Sequence, residues 1–369
     1  MPSLAQLPKP VILWLKIAAL MFCLYMFIVG VSGMGEAFNM FGAGFANRML
    51  AATKNPFAAL MMGLLATSIV QSSSATTSIV VGMVAGGVLP LEAAIPMVMG
   101  SSIGTTITAV MVSFGSVQRP AEFERSLSTA LLHLLFNVMA VAIIFPMEMA
   151  TGFLTHTAEI GQSLFSNVGG MKLCNPLKIA TSPMIGLLKF VAFHNAILFL
   201  IGTLALTFAT LIWLVKLLRI LVMTKVEAFF DQVLFRSWQR AMTFGFLLTL
   251  VLQTSSVTTS LTIPLAGAGV LKLIQIFPFI LGSNVGTTIT AFLAAMATGQ
   301  KLPMVVAFAH IAFNILGILL IWPIPAVRRL PLIAAQAIAR RSAHARYIPV
   351  ALIAFVYFII PLTLVIVLS

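Results

Sequence analysis

Two octapeptides concentrate hydroxyl groups inside otherwise apolar sequence. Gln71-Ser72-Ser73-Ser74-Ala75-Thr76-Thr77-Ser78 and Gln253-Thr254-Ser255-Ser256-Val257-Thr258-Thr259-Ser260 each set six hydroxyls beside one amide. Side chains of this kind do not move protons at neutral pH, but they bind. If a half-helix begins at the serines, its first backbone N–H groups are free and its positive dipole end points at the same place. Such an arrangement holds an anion without lysine or arginine. Ser72, Ser73, Ser74, Ser255 and Ser256 are therefore candidate anion ligands. The plainer alternative is that these residues cap the half-helices or let helices approach closely.

A second pair of segments follows each octapeptide. Gly100-Ser101-Ser102-Ile103-Gly104-Thr105-Thr106-Ile107-Thr108 is matched by Gly282-Ser283-Asn284-Val285-Gly286-Thr287-Thr288-Ile289-Thr290. Glycines weaken a helix, so an unwound turn is expected in each; its carbonyls and the threonine hydroxyls would form the neutral oxygen cage that a hard cation prefers. Sodium suits that description. A Gly-x-x-x-Gly packing motif explains the glycines equally well, but not the row of hydroxyls after them. Asn284, in place of Ser102, adds an amide to the candidate anion ligands.

The missing residue types narrow the chemistry. There are one Asp and seven Glu, none at the centre of an apolar run, which leaves His133 and His310 as the titratable groups available to a proton relay. Neither histidine comes with a nucleophile, an acid or a metal-ligand cluster, so a membrane transferase built on them is a weaker alternative and an enzyme is not expected. No organic cofactor is expected.

These segments sit in a chain that is 60% apolar and 8% charged, with mean hydropathy +1.11. A soluble globule cannot hide that much apolar surface. Runs at 11–33, 91–113, 126–150, 184–218, 273–298, 302–322 and 347–368 each supply the ~20 residues of a membrane span. Stretches 55–89 and 240–271 are split by the octapeptides into halves too short to cross, and read as re-entrant hairpins. The first run is too long for the core of a signal peptide. A net charge of +13 does not imply nucleic acid as a partner, because the basic residues lie in short loops and act as topology signals. With residue 1 cytoplasmic, 15 of the 21 Lys and Arg fall inside.

At an offset of 182, Gln71–Ala109 aligns with Gln253–Ala291 without a gap and 19 of 39 positions are identical. A shorter echo pairs His133-x-x-Phe136-Asn137 with His310-x-x-Phe313-Asn314. Three crossings separate the copies, and an odd number inverts the second one. Inverted repeats with interrupted segments at matching places point to a midplane site between the halves. The expected fold is an all-α polytopic membrane protein of two inverted-topology repeats, each with a re-entrant helical hairpin and a broken transmembrane helix. Residues 1–150 form the first repeat (hairpin 55–89, broken helix 91–113, span 126–150), and 151–183 a periplasmic connector. Residues 184–322 form the second repeat (span 184–218, hairpin 240–271, broken helix 273–298, span 302–322), and 323–369 a basic cytoplasmic loop with the last span.

The duplicated Gln-Ser-Ser-Ser hairpin, each copy followed by Gly-x-x-x-Gly-Thr-Thr, resembles the type II sodium-dependent phosphate cotransporters, over roughly 55–140 and 240–315. The resemblance implies inorganic phosphate held between the hairpin tips and sodium carried with it. It implies a sodium site at Gln253, Thr254, Ser283, Thr287 and Thr290, with a pseudo-symmetric counterpart at Gln71, Ser101, Thr105 and Thr108. It further implies a multi-pass protein of the bacterial inner membrane, with lipids and a second copy of the chain as partners. Where electrogenic animal members carry aspartate after the first histidine, this chain has Leu134, which cannot bind a cation. Another small oxyanion or a dicarboxylate is the competing cargo, and a channel the competing mechanism.

The charge split predicts that 114–125, 219–240 and 328–346 face the cytoplasm while 34–54 and 151–183 face the periplasm. Single cysteines introduced as Ala121→Cys and Ser166→Cys should be labelled from opposite sides by an impermeant thiol reagent; labelling from one side would reverse the assignment.

Overall fold

With no water in the bilayer core, backbone groups must be paired within the segment, and this composition accordingly folds as helices. The computed structural model describes residues 9–226, 235, 237–345 and 347–368, and no strand occurs among them. Glu227 and Asp231 lie outside the described residues.

Helix α1 (Lys9–Met40) leads to α2 (Gly42–Ala52), and the chain then bends by 97° into α3 (Pro56–Val70). Asn55 accepts from Phe57 N and Pro56 starts the helix, a local N-terminal signal. Gln71 ends α3 in the left-handed conformation (φ 57°), Ser72 is extended, and α4 (Ser73–Ala85) returns. Then come α5 (Leu91–Gly104), α6 (Thr106–Ser113), α7 (Pro120–Thr151), α8 (Phe153–Asn167), α9 (Cys174–Val191) and α10 (Ala196–Val226). The second hairpin is α11 (Trp238–Leu252), Gln253 (φ 56°), and α12 (Ser255–Ser260) continued by α13 (Thr262–Gly267). Leu261 between the last two has helical dihedrals, so Ser255–Gly267 corresponds position by position to Ser73–Ala85. The chain closes with α14 (Leu273–Thr298), α15 (Lys301–Ile321), α16 (Pro325–His344), α17 (Tyr347–Ala354) and α18 (Ile360–Leu368), the last two joined through a π turn.

Among the described residues, seven helical stretches are long and apolar enough to span a bilayer: Trp14–Met40, Leu91–Ser116, Pro120–Thr151, Ala196–Leu214, Leu273–Thr298, Lys301–Ile321 and Tyr347–Leu368. The chain is a multi-pass membrane protein. In its last span the buried Tyr357 hydroxyl lies 2.6 Å from Thr106 Oγ1.

The two repeats pack alike. Helix α3 lies along α5, with Gly63 against Met97, Gly100 against Leu60 and Gly104 against Leu64; a Cβ on Gly100 would overlap the Leu60 carbonyl oxygen. Helix α11 lies along α14 through Gly245 against Phe279, Gly282 against Met242 and Gly286 against Phe246. Every residue of the second set is 182 beyond its partner in the first. Close backbone approach of this kind replaces the hydrophobic effect as the attraction between helices in lipid.

Three details differ from the sequence expectation. The unwound turns do not form: α14 runs unbroken through Gly282 and Gly286, and the interruption between α5 and α6 is Thr105 alone, with φ −55° and ψ −30°. Glycine serves there for contact and not for unwinding. The span expected from 184 begins at Ala196, because 184–191 finish α9 and a turn with Phe193 and His194 at positive φ intervenes. Asn195 caps the new helix, accepting from Ile197 N and Leu198 N. The basic stretch after 323 is helical, and α16 packs on α7.

Candidate functional site

The hairpin tips meet. Ser74 Oγ donates to the Gln253 carbonyl at 2.9 Å and lies 3.4 Å from Thr290 Oγ1, tying the first tip to the second hairpin and to α14. Beside this bond is a small cavity of about 10 Å³, room for about one water molecule, lined by Ser73, Ser102, Thr105, Ser255, Asn284, Thr287, His310 and Asn314. Six of these are three pairs at offset 182: Ser73 with Ser255, Ser102 with Asn284, Thr105 with Thr287.

Each tip owes its shape to a left-handed glutamine followed by an extended residue. That turn lets the returning half-helix start at Ser73 or Ser255 with its leading N–H groups free of helical partners. Ser72 spends its hydroxyl as a cap, accepting from Ala75 N at 3.2 Å. Of the expected anion ligands, Ser73, Ser255 and Asn284 line the cavity, Ser74 bridges the hairpins, Ser72 caps, and Ser256 is buried in the second tip outside the lining.

Behind the cavity Asn284 is held by α7. His133 Nε2 is 2.8 Å from Asn284 Oδ1, and Asn284 Nδ2 donates to Asn137 Oδ1 at 2.9 Å. With the amide so oriented the proton sits on His133 Nε2, and buried Nδ1 has no partner among the described residues. The shorter Ser102 has no such bond to α15, where His310 and Asn314 face the cavity themselves.

The two sets of expected sodium ligands differ in state. In the second copy Thr290 Oγ1 donates to Gln253 Oε1 at 2.7 Å, Ser283 Oγ is 2.8 Å from Thr249 Oγ1, and Thr287 donates to the Ser283 carbonyl at 3.0 Å. Thr254 is half-buried at the tip. These groups gather. In the first copy Gln71 is exposed and turned toward Met111 Sδ, Thr105 donates to the Ser101 carbonyl just as Thr287 does to Ser283, Ser101 donates to the Val98 carbonyl, and the buried hydroxyls of Thr67 and Thr108 have no partner among the described residues. The oxygens present are neutral ones, as a monovalent hard cation needs; no group of three His, Cys, Asp or Glu occurs among the described residues. Sequence reasoning missed Thr249, His310 and Asn314. The His-x-x-Phe-Asn echo was the available signal for the last two, whereas Thr249 is one hydroxyl in an apolar helix.

An internally duplicated multi-pass membrane protein with a neutral, hydroxyl-lined centre is thereby defined. The chain belongs to the Na+/Pi-cotransporter family, whose model matches residues 26–174 and 206–319; this is a family of transporters and not of enzymes. Sodium-dependent phosphate transport protein 2A of Ovis aries is 31% identical over 441 residues, covering 98% of this chain and 69% of the relative. Protein 2A of Rattus norvegicus is 31% identical over 94% of this chain and 67% of its own length, and protein 2B of Homo sapiens 29% over 92% and 63%. No solved structure matches the chain.

Removing Asn284 strands two buried polar groups, at about 1–3 kcal/mol each. Asn284→Ala should therefore lower the detergent-phase Tm well below that of Ser102→Ala, which loses one long bond to the Val98 carbonyl. Equal losses would show that the His133–Asn284–Asn137 chain is not holding α7 to α14.

Proposed function

We propose that this chain is a sodium-coupled symporter of inorganic phosphate in a bacterial inner membrane, working by alternating access. Phosphate binds between the two hairpin tips, through the hydroxyls of Ser73 and Ser255, the free N–H groups behind them and the amide of Asn284. The observation that carries this reading is the cavity lined by three residue pairs related by the internal repeat. A site shared by inverted copies can open to either side as one hairpin or the other withdraws. In the present conformation the gap holds about one water, so phosphate binding requires the tips to part and the Ser74–Gln253 bond to break.

Sodium is the second cargo. Gln253, Thr249, Ser283, Thr287 and Thr290 form one cage, and a cation there replaces the hydrogen bonds that now link them. Gln71, Thr67, Ser101, Thr105 and Thr108 supply the related cage, where two buried hydroxyls already lack partners. The position after His133 is Leu134, so no carboxylate adds a further ion. Divalent phosphate with two sodium ions then crosses without net charge.

Labelled phosphate uptake into proteoliposomes tests the reading: an inward sodium gradient should stimulate it, and absence of stimulation would refute sodium coupling. Ser73→Ala and Ser255→Ala should each raise the half-saturating phosphate concentration about tenfold or more, since a hydrogen bond to a charged group contributes about 1.5–3 kcal/mol. A potassium-diffusion potential, worth about 2.3 kcal/mol per charge per 100 mV, should leave initial uptake unchanged at fixed sodium and pH. Voltage dependence should appear in Leu134→Asp; a clear response in the parent chain would contradict electroneutral symport.

A further inference from the structure

A second cavity, of about 730 Å³, opens at the face that the charge split turns toward the cytoplasm. Three elements wall it: the first turns of α7, the segment between α13 and α14 at the foot of the second hairpin, and α16. Arg125, Lys272, Arg328, Arg329 and Arg340 converge on it and Glu124 is its sole carboxylate, an excess of four positive charges in one concavity. The corresponding cavity at the foot of the first hairpin, about 410 Å³, holds Glu36, which pairs with Lys189 at 2.7 Å, and otherwise neutral side chains.

Basic residues on a cytoplasmic loop need only satisfy topology, and exposed spacing along a helix would do that. Here they are drawn together, which raises their mutual repulsion unless an anion relieves it. Existing contacts relieve little. Arg340 Nε is 3.5 Å from Glu124, Arg125 Nε donates to the Gly267 carbonyl at 2.8 Å, and Arg328 stacks over Trp322 at 4.7 Å. Lys272 and Arg329 form no ion pair among the described residues.

We propose that this cavity binds a phosphate-bearing anion, at a site separate from the hairpin tips. Guanidinium forks from both α7 and α16 suit the several oxygens of a phosphate. Leu271, Leu273, Ile274 and Leu332 give the cavity an apolar flank. An anionic phospholipid, headgroup on the cations and acyl chain along that flank, uses both features; free phosphate uses the first. Either occupant ties α7 and α16 to the foot of the second hairpin.

The test uses the full chain in detergent and no transport measurement, so its outcome is independent of the symport reading. Native mass spectrometry counts adducts during titration with phosphatidylglycerol or phosphatidylcholine, and equilibrium dialysis without sodium measures labelled inorganic phosphate. The double variant Lys272→Gln/Arg329→Gln should bind the preferred anion about 30-fold more weakly, which is about 1 kcal/mol per cation removed. Arg329→Lys should retain binding, and Arg119→Gln, outside the cavity, should match the parent. Selective loss of phosphatidylglycerol identifies a lipid. Selective loss of inorganic phosphate, retained in Ser73→Ala/Ser255→Ala, identifies the solute. Overturning results are a parent chain that neither prefers phosphatidylglycerol to phosphatidylcholine nor binds phosphate, or an equal loss in Arg119→Gln.

Discussion

The contact on which the rest depends is the backbone approach of each hairpin's first half-helix to the crossing helix that follows it. Gly63, Gly100 and Gly104 make it in the first copy, Gly245, Gly282 and Gly286 in the second. Because glycine at these positions lets the backbones of α3 and α5, and of α11 and α14, touch, the left-handed glutamine at the end of each half-helix arrives beside the hydroxyl row of the crossing helix. Gln253 reaches Thr290, and Thr249 reaches Ser283, only at that separation. The polar centre is thus a by-product of glycine packing: the same contact that holds the helices together in lipid brings oxygens to one place.

The two copies are alike in backbone and unlike in side-chain state. In the second, Gln253 bonds Thr290 and Thr249 bonds Ser283, with Ser260 Oγ left unpaired among the described residues; in the first, Thr67 and Thr108 are unpaired and Gln71 is exposed. A buried hydroxyl without a partner costs free energy, which a bound cation or water recovers. The helices around the centre extend the asymmetry. α7 grips Asn284 through His133 and Asn137, whereas α15 presents His310 and Asn314 to the cavity beside Ser102.

Much of this was legible in the residues. Polar octapeptides inside apolar runs marked the hairpins, because a hydroxyl-rich segment cannot face lipid, and the duplication paired Ser73 with Ser255 before any coordinates. The glycines serve close packing and not unwinding, and their spacing alone allows both roles: a helix propensity cost is a local quantity, while the Leu60 and Met242 carbonyls that exclude a Cβ belong to a neighbouring helix. The start of α10 was hidden because 184–218 is apolar enough overall to read as one span, and the His194-Asn195 pair with its Asn195 cap marks the boundary. Thr249 was beyond reach for another reason. A single polar residue on an apolar helix looks the same whether it packs or lines a site, and only the neighbouring helices decide.

The central claim is that phosphate sits between the two tips. In a chain with Cys23 and Cys174 replaced by serine, Ser73→Cys and Ser255→Cys can be modified one at a time by a small hydrophilic thiol reagent, with Ser166→Cys as reference. Sodium and phosphate together should slow modification at both tip positions and leave Ser166→Cys unchanged. Unchanged rates at both tips, in variants that still take up phosphate, would place the anion elsewhere.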